Sequence, residues 1–291
     1  MAAPGTSPAP VADLPPGLSP LVELGGGLHH EVWLAHDEHR LTAVVVKILR
    51  PELVGDADAV AGTLREIEVL TQLAHPSIVR IFDYDDEAER PYLVMEHLDG
   101  PTLSALIGRD GPVQVHQLLP LALELAGSIH YLHSVGMVHL DVKPSNIIMG
   151  APATLIDLSL ALDVEEAERL QGPVGTDQYM PPEQCDPLRH GPIGPAADVW
   201  SIGASLYRAA VGHRAWPTVE DPADDAQRWP QLTTPPRPMP DFVPPAIAEL
   251  IEACLRFDPA ERPTPHELVE RLEPLLAALP TARLSGFSLR R

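Results

Sequence analysis

The sequence predicts an α+β chain in which a small β-rich unit with one helix precedes a larger, mainly helical unit. Three observations predict it. Short β-branched and alternating runs fill residues 22–96, interrupted by one stretch of helical period. Later segments carry long apolar-faced helical patterns with clear start and stop signals. The chain has 291 residues and is 45% hydrophobic, enough to bury a sizeable core.

Residues 1–20 carry six prolines and much Ala and Gly. They read as a disordered leader, or as a docking tail for a partner. From Leu21 the composition changes. Val22 to Ala35 reads as a strand, a Gly-rich turn and a second strand, and Leu41–Leu49 as a β-branched third strand. Ala59 to Ala74 places Leu64, Ile67, Leu70 and Leu73 at helical spacing, and His75-Pro76 ends it. Two further strands are expected around Ile78–Tyr84 and Pro91–Glu96.

Leu118–Ser134 reads as a long helix, with Pro120 tolerable only in its first turn. Asp198–Val211 reads as another, closed by Gly212. Thr264-Pro265-His266-Glu267 opens a third with a capping box and proline at the first helical position. The Pro-rich residues 213–245 read as loop around short helices, and 281–291 as a short basic tail.

Composition excludes several function classes. A net charge of −21 argues against nucleic acid and against anionic membrane surfaces. No apolar run reaches the ~20 residues of a membrane span. The first residues lack the basic start and apolar centre of a secretory signal, so a cytoplasmic location is expected. Cys185 and Cys254 match no metal or redox spacing and read as free thiols in a reducing compartment.

The densest chemistry lies in His139-Leu140-Asp141-Val142-Lys143-Pro144-Ser145-Asn146, followed by Asp157-Leu158-Ser159. Asp141 is a candidate general base, and Lys143 a neutraliser of charge on a transferred group. Asn146 and Asp157 are oxygen donors of the kind Mg²⁺ takes alongside phosphate oxygens. Upstream, the glycines of Leu24-Gly25-Gly26-Gly27-Leu28-His29-His30-Glu31-Val32 let a backbone turn sit close over phosphates. Lys47, on the third strand, is costly to bury unpaired, and Glu66 on the next helix is its natural partner. The joint order and spacing point to phosphoryl transfer, which needs positioning and charge stabilisation above all.

These motifs resemble the eukaryotic-type (Hanks-type) Ser/Thr protein kinases, from about Leu21 to Leu279. Leu24–Val32 resembles their Gly-rich loop, Lys47 their strand-three lysine and Glu66 their helix-C glutamate. His139–Asn146 is similar to the catalytic loop H-R-D-L-K-P-x-N, and Asp157-Leu158-Ser159 to D-F-G. Gly175-Thr176-Asp177-Gln178-Tyr179-Met180-Pro181-Pro182-Glu183 resembles the end of the activation segment. Asp198-Val199-Trp200-Ser201-Ile202-Gly203 matches D-x-W-S-x-G.

The resemblance implies a bilobal protein-kinase fold: N-lobe 21–95 with five strands and helix C, hinge 96–100, and a mainly helical C-lobe 101–280. It implies Asp141, Lys143, Lys47 and Glu66 as catalytic residues, and Asn146 and Asp157 as ligands of Mg²⁺ or Mn²⁺. ATP would be held by Leu24, Gly25, Gly27, Val32, Val45, Lys47, Met95, Glu96, Leu98 and Ile148. Glu183 and Arg262 would form a buried pair. Lys143 and Thr176 favour the Ser/Thr class, with protein hydroxyls as acceptors. The composition suggests a stand-alone bacterial member.

Four departures bear on function. His30 stands at the loop's third glycine, where a side chain would crowd the phosphates or, protonated, touch them; a somewhat higher nucleotide Michaelis constant is expected. Val45 replaces alanine and narrows the adenine roof. Ser159 replaces the D-F-G glycine and is expected to restrict that segment's backbone. Leu140 replaces the arginine that receives an activation-loop phosphate. Residues 160–175 contain no Ser, Thr or Tyr, so the enzyme is expected to work without loop phosphorylation. Asp163, Glu165, Glu166 and Glu168 make that loop acidic. The alternative is a pseudokinase, a nucleotide-binding scaffold that keeps the fold; a third reading is a transferase acting on a small molecule.

Overall fold

The computed structural model describes residues 13–279. They fall into two compact units. The first runs through Ala74 and resumes over Val79–Leu98, and the second comprises His75–Ile78 and everything from Asp99.

The N-terminal unit begins with β1 (Leu18–Gly25), β2 (His30–Asp37) and β3 (Thr42–Leu49). Helix α1 (Ala57–Gln72) follows, then β4 (Ile81–Asp85) and β5 (Tyr92–Glu96). The strands form one antiparallel sheet in the order β1-β2-β3-β5-β4. The β2–β3 ladder is unbroken from His30↔Leu49 to Asp37↔Thr42, whereas β1 shifts register twice against β2.

Side chains alternate between the two faces of a strand, and cross-strand partners share a face. Trp33, Ala35, Val44, Val46, Ile48 and Val94 form an apolar core on one face. His30, Val32, Leu34, Val45, Lys47, Leu49 and Met95 therefore lie on the other. Helix α1 starts at Asp56, whose carboxylate accepts from the N–H groups of Asp58 and Ala59. It buries Thr63, Glu66, Ile67 and Leu70.

The C-terminal unit opens with α2 (Leu103–Asp110) and α3 (Val115–Ser134). Short strands β6 (Met137–Val138), β7 (Ile147–Ile148), β8 (Thr154–Leu155) and β9 (Leu162–Asp163) follow. Then come α4 (Val164–Glu168), α5 (Pro182–Cys185), α6 (Pro187–His190) and α7 (Ala196–Val211). Helices α8 (Asp225–Arg228), α9 (Pro245–Cys254) and α10 (Pro265–Ala277) complete it. α3 packs against α7 and α10, and α7 against α9. The α10 capping box is present with both of its hydrogen bonds, and α7 ends in left-handed Gly212 at φ 88°.

Three expectations are corrected. β1 starts at Leu18, inside the expected leader, because Leu18–Pro20 pair with Ala35–Asp37. The rest of that segment through residue 12, with the tail 281–291, lies outside the described residues. α3 begins at Val115, so Pro120 sits in its second turn, where it withholds one backbone donor from an otherwise continuous helix. Ile78 is not part of β4; it bridges Leu155, and Ser77 O accepts from the Leu155 N–H at 2.9 Å.

Candidate active site

In the N-terminal unit the period of β3 decides where Lys47 goes. Val44, Val46 and Ile48 enter the apolar core, so Lys47 emerges on the opposite face, toward α1. Its Nζ lies 2.8 Å from Glu66 Oε1 and 2.7 Å from Oε2. Both groups are buried, at 8% and 0% exposure, so each charge is compensated where water cannot reach. Val32, Val45 and Met95 share this face; Met95 is buried and the two valines half-buried. Leu24, Gly25 and Gly27 are exposed, and Glu96 and Leu98 half-buried. The Glu96 N–H is taken by Arg80 O at 2.9 Å.

His30 does not lie where the sequence suggested. Two residues before Val32, it shares the face of Lys47, and its Nε2 is 2.9 Å from Thr63 Oγ1 on α1. The ring is buried against the helix, so it does not crowd a phosphate in the loop. Strand parity was the signal that could have found this.

In the C-terminal unit the loop after β6 carries Asp141. Thr176 Oγ1 donates to its Oδ1 at 2.6 Å, and Lys143 Nζ donates to its Oδ2 at 2.7 Å and to Thr176 Oγ1 at 2.8 Å. Asn146 Nδ2 reaches the Asp141 carbonyl at 3.1 Å and its Oδ2 at 3.2 Å. The structure thus brings Asp141, Lys143, Asn146 and Thr176 into one hydrogen-bonded cluster.

Asn146 and Asp157 flank the β7–β8 ladder, and the Ile156 N–H donates to Asn146 O at 3.0 Å. Its amide nitrogen is turned to Asp141, while its Oδ1 accepts from the Ser145 hydroxyl at 3.5 Å and could serve as a cation donor. One amide oxygen and one carboxylate suit Mg²⁺, which takes its other ligands from phosphate and water. Among the described residues no cluster of three or more His, Cys, Asp or Glu would hold a metal ion by itself. Ile148, half-buried, follows on β7.

Leu140 adopts φ 64°, a left-handed backbone that costs a bulky residue about 1–2 kcal/mol. Asp198 holds it there, accepting the N–H of His139 at 2.9 Å and of Leu140 at 2.8 Å. Burial alone would raise the Asp198 carboxyl, but the His133 side chain and the His139 backbone bonded to it hold it below the usual carboxylate range. Gln184 Nε2 donates to Leu140 O at 2.9 Å and to Val174 O at 2.7 Å.

The Leu140 side chain, 1% exposed, belongs to an apolar cluster with Val138, Leu162, Ala167, Ile193 and Ala197. Leu160, Val164, Leu170 and Val174 pack on it. The acidic stretch is the solvated side of this arrangement: Asp163 caps α4, and Glu165 pairs with Arg169 at 2.9 Å on the surface. Among the described residues the non-glycine ones at positive φ are Leu41, Leu140 and Asp221, not Ser159, so serine carries no backbone strain here. Its N–H donates to Asp157 Oδ1 at 3.2 Å. The expected pair is present: Arg262 Nη2 lies 2.9 Å from Glu183 Oε2, with both residues buried.

The family model described as the protein kinase domain matches residues 18–272. The chain belongs to the protein kinase family. It is 34% identical to the serine/threonine-protein kinase PknA of Mycobacterium tuberculosis, over 84% of this chain and 57% of that protein. It is 32% identical to PkaA of Streptomyces coelicolor, over 86% of this chain and 48% of the relative. For PknB of Mycobacterium leprae the identity is 35%, over 68% and 33%. The chain thus spans between a third and somewhat over half of these relatives. The relatives are serine/threonine-protein kinases of bacteria, and the two units match the five-stranded N-lobe and helical C-lobe of the Hanks-type fold. No helix among the described residues is long and apolar enough to cross a membrane.

Proposed function

We propose that the chain is an ATP-dependent protein Ser/Thr kinase whose transfer machinery is intact and whose activation segment needs no phosphate. The observation that carries this is the Asp141–Lys143–Thr176 triangle, in which every pair lies within 2.8 Å. A carboxylate so constrained is aimed before any substrate arrives, and prepaid orientation is a large part of enzymatic rate.

Asp141 orients the acceptor hydroxyl and takes its proton as the oxygen–phosphorus bond forms and the bond to ADP breaks. Lys143 offsets charge on the transferred group. Lys47, steadied by Glu66, faces the phosphates of ATP from the N-terminal unit, under the Gly25–Gly27 turn. Leu24, Val32, Val45, Met95, Glu96, Leu98 and Ile148 are the proposed nucleoside contacts. Asn146 and Asp157 would hold Mg²⁺, which neutralises phosphate charge when bound. Mn²⁺ fits the same oxygen donors.

Phosphate independence is supported by the surroundings of Leu140. A phosphorylated loop is ordered by new arginine–phosphate bonds. Here the same span packs on Leu140 through its own apolar side chains, and residues 160–175 offer no hydroxyl. The acceptor is a protein Ser or Thr, and the Pro-rich N-terminus is a candidate site for a partner.

The test is transfer of labelled γ-phosphate to a generic protein substrate, wild type against Asp141→Asn, before and after phosphatase treatment. The expected loss in the variant is about 10²–10⁴-fold, the share general-base positioning supplies. Phosphatase treatment should leave the wild-type rate unchanged. Nucleotide binding with no transfer by the wild type would instead make it a pseudokinase, and label on a metabolite alone a small-molecule kinase.

A further inference from the structure

His30 carries a role that neither the motif nor the family match assigns. Its ring is 7% exposed and Thr63 is fully buried, so their 2.9 Å hydrogen bond lies out of water. The direction of that bond follows from the donor inventory. The Thr63 hydroxyl has one hydrogen, which it donates to Ala59 O at 2.9 Å, so Oγ1 accepts from His30 Nε2–H. The ring therefore acts as a donor into a helix whose own backbone is fully used at that turn.

Both ends of the tie are anchored. On the strand side the His30 backbone lies in the unbroken β2–β3 ladder opposite Leu49, and the Arg50 N–H donates to His29 O at 2.9 Å. Gly26 lies against the His30 carbonyl so closely that a Cβ there would sit 2.1 Å from its oxygen. On the helix side Thr63 precedes Glu66 by three residues, so the two stand on one face of α1. They meet His30 and Lys47, which stand on one face of the sheet.

We infer that His30 is a positioning residue: by hydrogen-bonding Thr63 it fixes α1 against the sheet, so that Glu66 stays on Lys47. The inference rests on the reading of Lys47–Glu66 as the pair that serves the nucleotide phosphates. A glycine at this position, the residue the family pattern has there, could not make the bond. The histidine thus joins the last turn of the phosphate loop to the helix that carries the glutamate.

The experiment uses the full chain with His30→Ala, Thr63→Val, Thr63→Ser and the His30→Ala/Thr63→Val double variant. Amide hydrogen exchange across α1 reads the tie without turnover; kcat and the Michaelis constant for ATP read its use. Losing one buried hydrogen bond should raise exchange in residues 63–70 by about tenfold in both single variants. kcat should fall by a similar factor with the ATP Michaelis constant within about twofold. Thr63→Ser, which keeps the hydroxyl, should behave as wild type, and the double variant should be no worse than either single one.

Wild-type exchange in His30→Ala would overturn the inference. So would a raised Michaelis constant for ATP with kcat and α1 exchange unchanged, which would put the ring on the phosphates. If Thr63→Val does not fold, His30→Ala against Thr63→Ser still decides. A wild-type chain that transfers no phosphate yet loses α1 protection in His30→Ala would keep the tie and refute only the proposed activity.

Discussion

In the N-terminal unit the ammonium of Lys47 is held by a carboxylate on α1, and α1 is tied to the sheet through His30. In the C-terminal unit the loop bearing Asp141 is held from several directions at once. Asp198 takes its backbone donors, Gln184 its carbonyl, Thr176 and Lys143 its carboxylate, and an apolar cluster its leucine. Polar ties in the first unit depend on each partner being present, because a lone buried charge or donor is costly. The second unit has polar ties as well, but on the Asp141 loop several act together and are joined by packing spread over many side chains, each of which can be trimmed at a graded cost. The difference makes α1 the part more easily moved and the Asp141 loop the part already set.

The largest effect that would break this contrast is expected at Arg262. Its guanidinium bonds Glu183 and the carbonyls of Ala196, Arg256 and Phe257, and stacks over Trp200. Arg262→Ala leaves Glu183 buried and uncompensated, so urea unfolding should show a loss of about 3–5 kcal/mol. A loss below ~1 kcal/mol would mean the second unit does not rest on this pair.

Leu140→Ala should cost less, about 2–5 kcal/mol at full burial and toward the lower end if the neighbours close in. Its sharper readout is trypsin cleavage after Arg169, exposed just past the end of α4 within the packed segment, which should quicken at least several-fold. Unchanged cleavage would show that the segment is ordered by something other than this cluster.

The smallest effect concerns the thiols. Burial pushes the Cys254 thiol up to about 12 and raises that of Cys185 as well. Each is therefore neutral across the working range, and the preference for the neutral form is lost only as pH rises past the ordinary thiol value toward the folded one. A thiol-disulfide reagent at pH 8 should label neither cysteine until the protein is unfolded. Labelling of one thiol in the native state would reveal local opening in the C-terminal unit.

Much of this was legible in the chain. Apolar period and capping residues located the long helices, and motif spacing singled out Lys47, Glu66, Asp141, Asn146 and Asp157, of which the structure pairs Lys47 with Glu66 and Asp141 with Asn146. What the sequence hid was direction. His30 was read with the glycines beside it, although counting by twos from Val32 places it on the face of Lys47. The stretch 160–175 was read by its charges, while its apolar residues Leu160, Val164, Ala167, Leu170 and Val174 decide where it packs. Leu140 was read as a missing arginine, but a leucine there is also a gain, because its neighbours are apolar. The rule that proline belongs in a helix's first turn puts the start of α3 at Leu118, three residues late, whereas packing along the rest of the helix outweighs one absent donor.

The uneven registry of the first two strands has a consequence for how such a gene can change length. β1 already carries two irregularities against β2, so a codon gained or lost there can be absorbed as another bulge. The β2–β3 ladder has none, and one residue inserted between His30 and Trp33 would turn the residues on one side of it to the opposite face. With the insertion between them, either Trp33 would turn toward α1 or the histidine toward the apolar core, according to which side keeps its register. Length variation among kinases of this kind should accordingly collect in the first strand and the glycine turn, and stop at His30.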